Sequence, residues 1–216
     1  MGAGAPQMGR RERKKNQTRE LIAETARRLF AESGFDHVSI AEIARQADVS
    51  ETTVFNHFGT KEDLVYWRMD TFEDELLAAI RQRAPGESIL TAFGRFALTP
   101  RGLLAQTDPD AVEALAGLTR MITQSPALLA REHQIMERYT DSLAALLADE
   151  TRARPGDLAP WVAANALMGV HRALLASTRA QIVAGRRNPA LARAVRTRGR
   201  NALATLERGL GHYGVR

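Results

Sequence analysis

Helix-start signals recur along this 216-residue chain, and the segments between them repeat their apolar residues every three to four positions. Ser39-Ile-Ala-Glu42 has the pattern of a capping box, in which a hydroxyl and a carboxylate satisfy the first free amides of a helix. Asp108-Pro109, Ser125-Pro126 and Asn188-Pro189 each pair a cap residue with proline at the first helical position. No stretch alternates with a period of two, as a half-buried strand would. The sequence therefore predicts an all-α protein.

About nine helices are expected, in an N-terminal three-helix domain followed by a larger helical domain. The predicted helices are 17–33, 39–46, 50–57, 61–83, 87–99, 109–123, 126–150, 157–184 and 189–211. The predicted division is a basic flexible arm over 1–15, a helix-turn-helix domain over 16–60 and the larger helical domain over 61–216.

Composition excludes several chemistries. The chain has no cysteine, which removes disulfides, thiol catalysis and zinc sites with cysteine ligands. Its five histidines do not pair at ligand spacing, so no enzyme activity, metal or cofactor is expected. The most apolar stretch, 161–176, is interrupted by polar residues and is shorter than the roughly 20 residues that span a bilayer. Without a targeting signal either, a cytoplasmic protein is expected.

Charge is concentrated at the two ends of the chain. The net charge is +5, but residues 1–20 contribute +4, residues 185–216 contribute +7 and the remainder is negative. The run from Arg10 to Lys15 is typical of a segment that binds a polyanion, and equally of a solvated tail. Arg11, Arg13 and Lys14 are the candidate contact residues within this run.

Two short helices, separated only by a tight turn at Asp48-Val49, have the spacing of a helix-turn-helix. The expected core residues of this domain are Leu29, Phe30, Val38, Ile40, Ile43, Ala44, Val49, Val54 and Phe58. On the second short helix, the face opposite Val54 and Phe58 is expected to carry hydrogen-bonding side chains, namely Thr52, Thr53, Asn56 and His57. Such a face can meet base edges and phosphates in a major groove. Ordinary exposed polar residues are the alternative, but the turn spacing and the basic run together favour DNA binding.

Residues 18–64 resemble the N-terminal domain of TetR-family transcriptional regulators. The matching runs include Thr18–Ala23, Leu29-Phe30, Gly34-Phe35, Val38–Ile40, Ile43-Ala44 and Val49–Leu64. The resemblance implies a homodimer that binds a palindromic operator, and a C-terminal domain, 61–216, that binds a small effector and dimerises. The family's usual logic, a repressor released by its ligand, is the expectation carried over here.

The resemblance also assigns DNA contacts. Thr53, Phe55, Asn56 and His57 match recognition-helix positions, whereas Thr18, Ser39 and Lys61 match phosphate contacts. Many members have tyrosine where this chain has Phe55, which cannot donate a hydrogen bond to phosphate. Phe55 is therefore expected to pack against a thymine methyl group or a sugar, or to complete the core.

Candidate effector and dimer residues in the C-terminal domain rest on residue type and spacing. Aromatic, methionine and isolated polar side chains suit a mostly apolar effector, and the candidates are Trp67, Phe93, Phe96, Met121, Met136, Tyr139, Trp161, Asn165, Met168 and His171. A helical stripe predicts the dimer interface, through Leu167, Val170, Leu174, Leu191, Val195, Gly199, Ala202, Leu206 and Leu210. The alternatives are plain core for the first set and packing within one chain for the second. For the whole protein, the alternatives are a DNA-binding regulator without an effector and an all-helical enzyme.

Overall fold

The computed structural model describes residues 9–186 and 190–210, and all regular structure in these residues is helical. The nine α-helices in the described residues are α1 Arg10–Ser33, α2 Ile40–Gln46, α3 Glu51–His57, α4 Met69–Arg81, α5 Ile89–Ala97, α6 Pro109–Gln124, α7 Pro126–Thr151, α8 Ala159–Val183 and α9 Ala190–Leu210. Two 3₁₀ turns lie at Glu62–Leu64 and Gly102–Ala105. The predicted all-α fold class is confirmed, and seven of the nine predicted helices have both ends within two residues of the observed ones.

Side-chain caps begin five of these helices. The cap residue accepts a hydrogen bond from the backbone amide three residues later at Ser39, Ser50, Ser88, Asp108 and Ser125. Proline follows the cap directly in α6 and α7, where its missing N–H has no helical partner to lose. Local sequence therefore determines where the short helices of the first domain begin.

The N-terminal arm was predicted wrongly over part of its length. Helix α1 begins at Arg10, so residues 10–15 are helical and are not an extended arm; residues 1–8 lie outside the described part of the chain. The segment from Arg10 to Gln17 contains only straight-chain polar residues and one Asn, and most of these are strong helix formers. Arg11, Arg13 and Lys14 are therefore exposed on the first turns of α1.

The predicted helix 61–83 is also wrong. Helical structure stops after the turn Glu62–Leu64, and α4 begins only at Met69. The interruption has a physical cause. Leu64 and Tyr66 are buried in the core of the first unit, whereas Leu76 and Ile80 are buried in the second. Two compact units meet in sequence between Trp67 and Arg68, seven residues later than the predicted boundary.

The first unit, Met1–Trp67, is built on α1, α2 and α3. Seven of the nine predicted core residues are buried, and Ile40 and Val49 are half-buried. Helix α1 supplies the largest share of the buried side chains, among them Ile22, Ala26 and Phe30. This core fixes the two short helices at a single crossing.

The second unit, Arg68–Arg216, is organised around α8, which packs against α7 and α9. Helix α5 packs against α4 and α9. A buried ion pair joins the end of α4 to the end of α7, where Arg83 contacts Glu150 and also donates to the backbone oxygen of Ile80. None of the helices in residues 9–186 and 190–210 has the length and apolarity needed to cross a membrane.

Most of the predicted dimer residues face their own chain. Leu167, Val170, Leu174, Leu191 and Val195 are each at most 8% exposed. A Cβ atom at Gly199 would lie 2.1 Å from Leu98 and 3.3 Å from Leu174, so the glycine permits a close helix crossing inside the chain. These six residues lie in the packing of α8 and α9 within the chain, and a dimer interface through them stays a prediction. Ala202 and Leu206 are half-buried and remain candidates; the side chain of Leu210 lies outside the described part.

Candidate nucleic-acid interface

The turn between α2 and α3 has a defined geometry. Asp48 adopts a left-handed conformation with φ +53°. The amide of Val49 donates to the oxygen of Ala44 at 3.0 Å, and the amide of Asp48 donates to that of Arg45 at 3.4 Å. These two bonds form a Schellman motif, which ends α2 directly after Gln46. Ser50 then caps α3, so the turn is short and hydrogen bonds hold its backbone at both ends.

Helix α3 presents an outer surface that we call the reading face, made of Thr52, Phe55 and Asn56. All three side chains are exposed, and Phe55 is 51% exposed. Val54, on the opposite side, is fully buried. The alternative that Phe55 completes the core is therefore excluded, and its ring is available for apolar contact.

Thr53 and His57 do not share the reading face. Both are half-buried, and the hydroxyls of Ser50 and Thr53 lie 2.8 Å apart in a hydrogen bond. His57 lies near Lys15 and Arg19 of α1, and its Nδ1 is buried without a hydrogen-bond partner among the described residues. Burial, together with these two cations, holds the pKa of His57 below its ordinary value of 6.5.

Two cations of the first unit lie on aromatic rings. The guanidinium of Arg19 lies 5.3 Å from the ring centroid of Phe58, and the ammonium of Lys61 lies 4.3 Å from that of Phe35. Such contacts stabilise a positive charge over the face of a ring. Lys61 was predicted from the sequence, and Lys15 belongs to the basic run already described. Arg19 was missed, and its position one helical turn beyond Lys15 is the signal that the sequence offers.

The other predicted phosphate contacts are placed as follows. Ser39 is exposed, and its hydroxyl accepts a hydrogen bond from the amide of Glu42 at 3.1 Å. Thr18 is half-buried and donates to the backbone oxygen of Lys14 at 3.0 Å. Both hydroxyls thus already have one partner within their own helix. Ser39 accepts in its bond and can still donate its O–H to a phosphate, whereas Thr18 would first have to release the oxygen of Lys14.

In the second unit, three of the predicted effector residues surround Phe72, which was not among the candidates. Phe72 of α4 packs on rings from three other helices, with centroid distances of 4.9 Å to His171, 5.1 Å to Phe96 and 5.7 Å to Tyr139. Arg101 lies 3.8 Å from the Phe96 centroid and 3.3 Å from a Glu75 carboxylate oxygen. Burial, together with the charges of Arg172 and Arg101, lowers the pKa of His171 to about 4.

The remaining effector candidates do not join this cluster. Phe93, Met136 and Met168 are core residues, each at most 2% exposed, whereas Trp161 is 55% exposed. Asn165 donates to the backbone oxygen of Trp161 in its own helix, so its expected partner is local. Met121 is half-buried on α6, and Trp67 belongs to the first unit.

The geometry of the first unit defines the class of protein: a helix-turn-helix domain with an exposed outer face on its second short helix and with cations held on aromatic rings, followed in the chain by a second helical unit. Comparison with known proteins agrees. Residues 22–66 match the model described as bacterial regulatory proteins of the tetR family. Residues 22–66 therefore form a domain of the kind found at the N-terminus of TetR-family transcriptional regulators.

Two relatives illustrate the match. The transcriptional regulator TcmR of Streptomyces glaucescens is 30% identical over 146 residues, which cover 65% of this chain and 63% of TcmR. A transcriptional repressor of Mycobacterium tuberculosis is 34% identical over 103 residues, which cover 44% of this chain and 55% of the relative. The chain thus matches less than two thirds of the length of either.

Among solved structures, NalD of Pseudomonas aeruginosa, the secondary repressor of the MexAB-OprM multidrug efflux pump, matches with a TM-score of 0.55 at 24% identity, over 90% of this chain and 98% of NalD. At this identity the similarity concerns the fold. It extends the likeness beyond residues 22–66 into the helical second unit.

Proposed function

We propose that this protein is a sequence-specific DNA-binding transcriptional regulator, a cytoplasmic repressor that binds a palindromic operator as a homodimer. The observation that supports this most directly is the reading face of α3, held by the Asp48 turn and the Ser50 cap. Thr52 and Asn56 offer hydrogen bonds to base edges, and Phe55 offers an apolar surface to a thymine methyl group. Lys61, Arg19 and the exposed cations of α1 supply the phosphate contacts that give most of the affinity.

The homodimer is proposed to form through the outward face of α8. Residues on this face share one side of the helix and are uncharged: Leu158, Val162, Ala166, Gly169, Ala173, Ala176, Ala180 and Val183. Leu158 is 70% exposed and Val183 is 64% exposed. A Cβ atom at Gly169 would meet nothing within 4 Å, so a second helix has room to approach the backbone closely. An isologous pairing of this face about a two-fold axis would cover it.

The effector is proposed to be a small, mostly apolar molecule that binds at the cluster around Phe72. This cluster joins α4, α5, α7 and α8 through aromatic rings, which suit a ligand with an apolar or planar body. Operator affinity measured across a panel of such compounds should fall with at least one of them. If Phe72→Ala abolishes that response while unliganded DNA binding persists, the site is supported; an unchanged response places the effector elsewhere.

The regulator function is tested by selecting bound sequences from a random duplex library with the purified chain at moderate salt. We expect an enriched inverted repeat, because two copies of α3 related by a two-fold axis read two half-sites. The absence of enrichment from a folded protein would contradict the proposal. A regulator that lacks an effector would still enrich the repeat, so the two regulator hypotheses are separated by the compound panel.

A further inference from the structure

Lys61 lies in a corner formed by two aromatic rings. Its Nζ is 4.3 Å from the ring centroid of Phe35 and 5.9 Å from that of Phe30. The two rings are themselves 5.1 Å apart at 58°, and both side chains are at most 5% exposed. We call Phe30 and Phe35 the aromatic seat. The position of each ring is therefore fixed by the core of the first unit.

The backbone that presents Lys61 is fixed as well. The amide of Thr60 donates to the carboxylate of Asp63 at 3.0 Å, and the amide of Asp63 donates to the hydroxyl of Thr60 at 3.3 Å. This reciprocal pair is a capping box that brackets Lys61. Burial lowers the pKa of Lys61, while the negative charges of Asp36 and Glu62 act in the opposite direction.

A free lysine side chain samples many rotamers, and this freedom is lost when the ammonium is held against a phosphate. A lysine that already rests on a ring has lost part of that freedom before binding. The ring face also stabilises the ammonium while leaving its other side open to an anion, because the aromatic contact is made from one direction only.

We propose that the aromatic seat positions Lys61, so that Phe35 acts as a positioning residue for a DNA phosphate contact that it does not itself touch. This inference rests on the proposed DNA-binding function, since it concerns the geometry of one contact in that complex. The seat is supplied by a different segment from the lysine, so it couples the α1–α2 connection to the start of the Glu62–Leu64 turn.

A double-mutant cycle on the selected operator tests the proposal. Lys61→Met should weaken binding and reduce the magnitude of the salt slope by about one, as loss of one phosphate contact does. Phe35→Leu retains apolar volume but removes the ring face, and should weaken binding about three-fold. In the Lys61→Met background, Phe35→Leu should cause no further loss, because the ring then has no cation to position.

The outcomes separate the two ideas. If Lys61→Met leaves both affinity and salt slope unchanged, the proposed contact itself is wrong. If Phe35→Leu costs the same factor in both backgrounds, or nothing in either, the contact stands and the seat is overturned. Phe93→Leu, at a buried ring in the second unit, is the matched control and should leave operator binding unchanged. Should Phe35→Leu fail to fold, site-specific trifluorophenylalanine at position 35 weakens the ring's electrostatic face at nearly constant shape, and the same cycle decides.

Discussion

His57 is the single residue through which we expect DNA binding to depend on pH. Its ring lies near the cations Lys15 and Arg19 of α1, and its Nδ1 is buried without a partner among the described residues. Its pKa is below 6.5 in the free protein, first because of burial and then because of those charges. A DNA phosphate bound at these cations would offset their charge and raise the pKa.

Operator affinity should therefore increase as the pH falls toward and below 6.5. The complex would bind more protons at His57 than the free protein, so proton uptake accompanies binding. Over the same range the free protein should lose stability, because unfolded chains protonate this histidine more readily than folded ones. Fluorescence anisotropy at constant ionic strength would measure the affinity, with His57→Gln as the control. An identical pH slope in both proteins would refute the role of His57.

Asp48 gives a second prediction at the level of one residue, which concerns its backbone conformation. At φ +53° it stands where glycine is the usual choice, and a β-branched residue is strongly disfavoured. Asp48→Val should reduce the free energy of unfolding by about 1–2 kcal/mol, whereas Asp48→Gly should change it by less than about 1 kcal/mol. Chemical denaturation of the two variants would measure this. Equal losses in both would show that the aspartate side chain, and not the dihedral angle, matters.

Among the helices, those that begin at a side-chain cap had start positions that could be predicted from the sequence. Ser39, Ser50, Asp108 and Ser125 could be recognised because a cap acts through the next three residues, so the information is local. The start of α1 and the break before α4 could not be predicted in the same way. The first depends on propensity competing with solvation, and the second on Leu64 and Tyr66 packing in a different unit from Leu76.

Spacing alone was similarly insufficient for the candidate sites. A periodic apolar stripe predicts burial but does not say whether the partner is another helix of the same chain, and at Leu191 and Val195 it is. On α3 the partial burial of His57, near Lys15 and Arg19 of α1, is a tertiary effect that spacing within α3 does not encode. The arrangement of Phe72 with rings from three helices is long-range and leaves no local signature.

The buried ion pair between the ends of α4 and α7 gives a prediction about these two helices. The side chain of Arg83 is 1% exposed and that of Glu150 is 8% exposed. Replacing one partner leaves an uncompensated buried charge, so Glu150→Leu should reduce the free energy of unfolding by about 3–5 kcal/mol. The double variant Arg83→Met with Glu150→Leu should recover most of that loss. Thermal denaturation would measure both, and a double variant no more stable than the single one would contradict this reading.

For the whole molecule, the outward face of α8 determines the predicted assembly. This face follows a helix about 37 Å long and has no charged residue along its centre. Ala173→Glu would place a carboxylate near the centre of this face. A two-fold axis there would bring the carboxylates of the two copies close together, and they would repel each other. We expect sedimentation velocity to show a dimer for the native chain and a monomer for this variant. Ala145→Glu, on the exposed side of α7, should remain dimeric, and a dimeric Ala173→Glu protein would argue against this interface.

The most direct test of the central claim, that the outer face of α3 reads a DNA sequence, is a paired selection. The native chain and Asn56→Ala would each be offered the same random duplex library at the same salt. The native chain should enrich an inverted repeat, and the variant should lose preference at symmetric positions in both half-sites while retaining non-specific affinity, since its phosphate contacts are intact. No enrichment by the folded native chain, or an unchanged motif with the variant, would contradict the account.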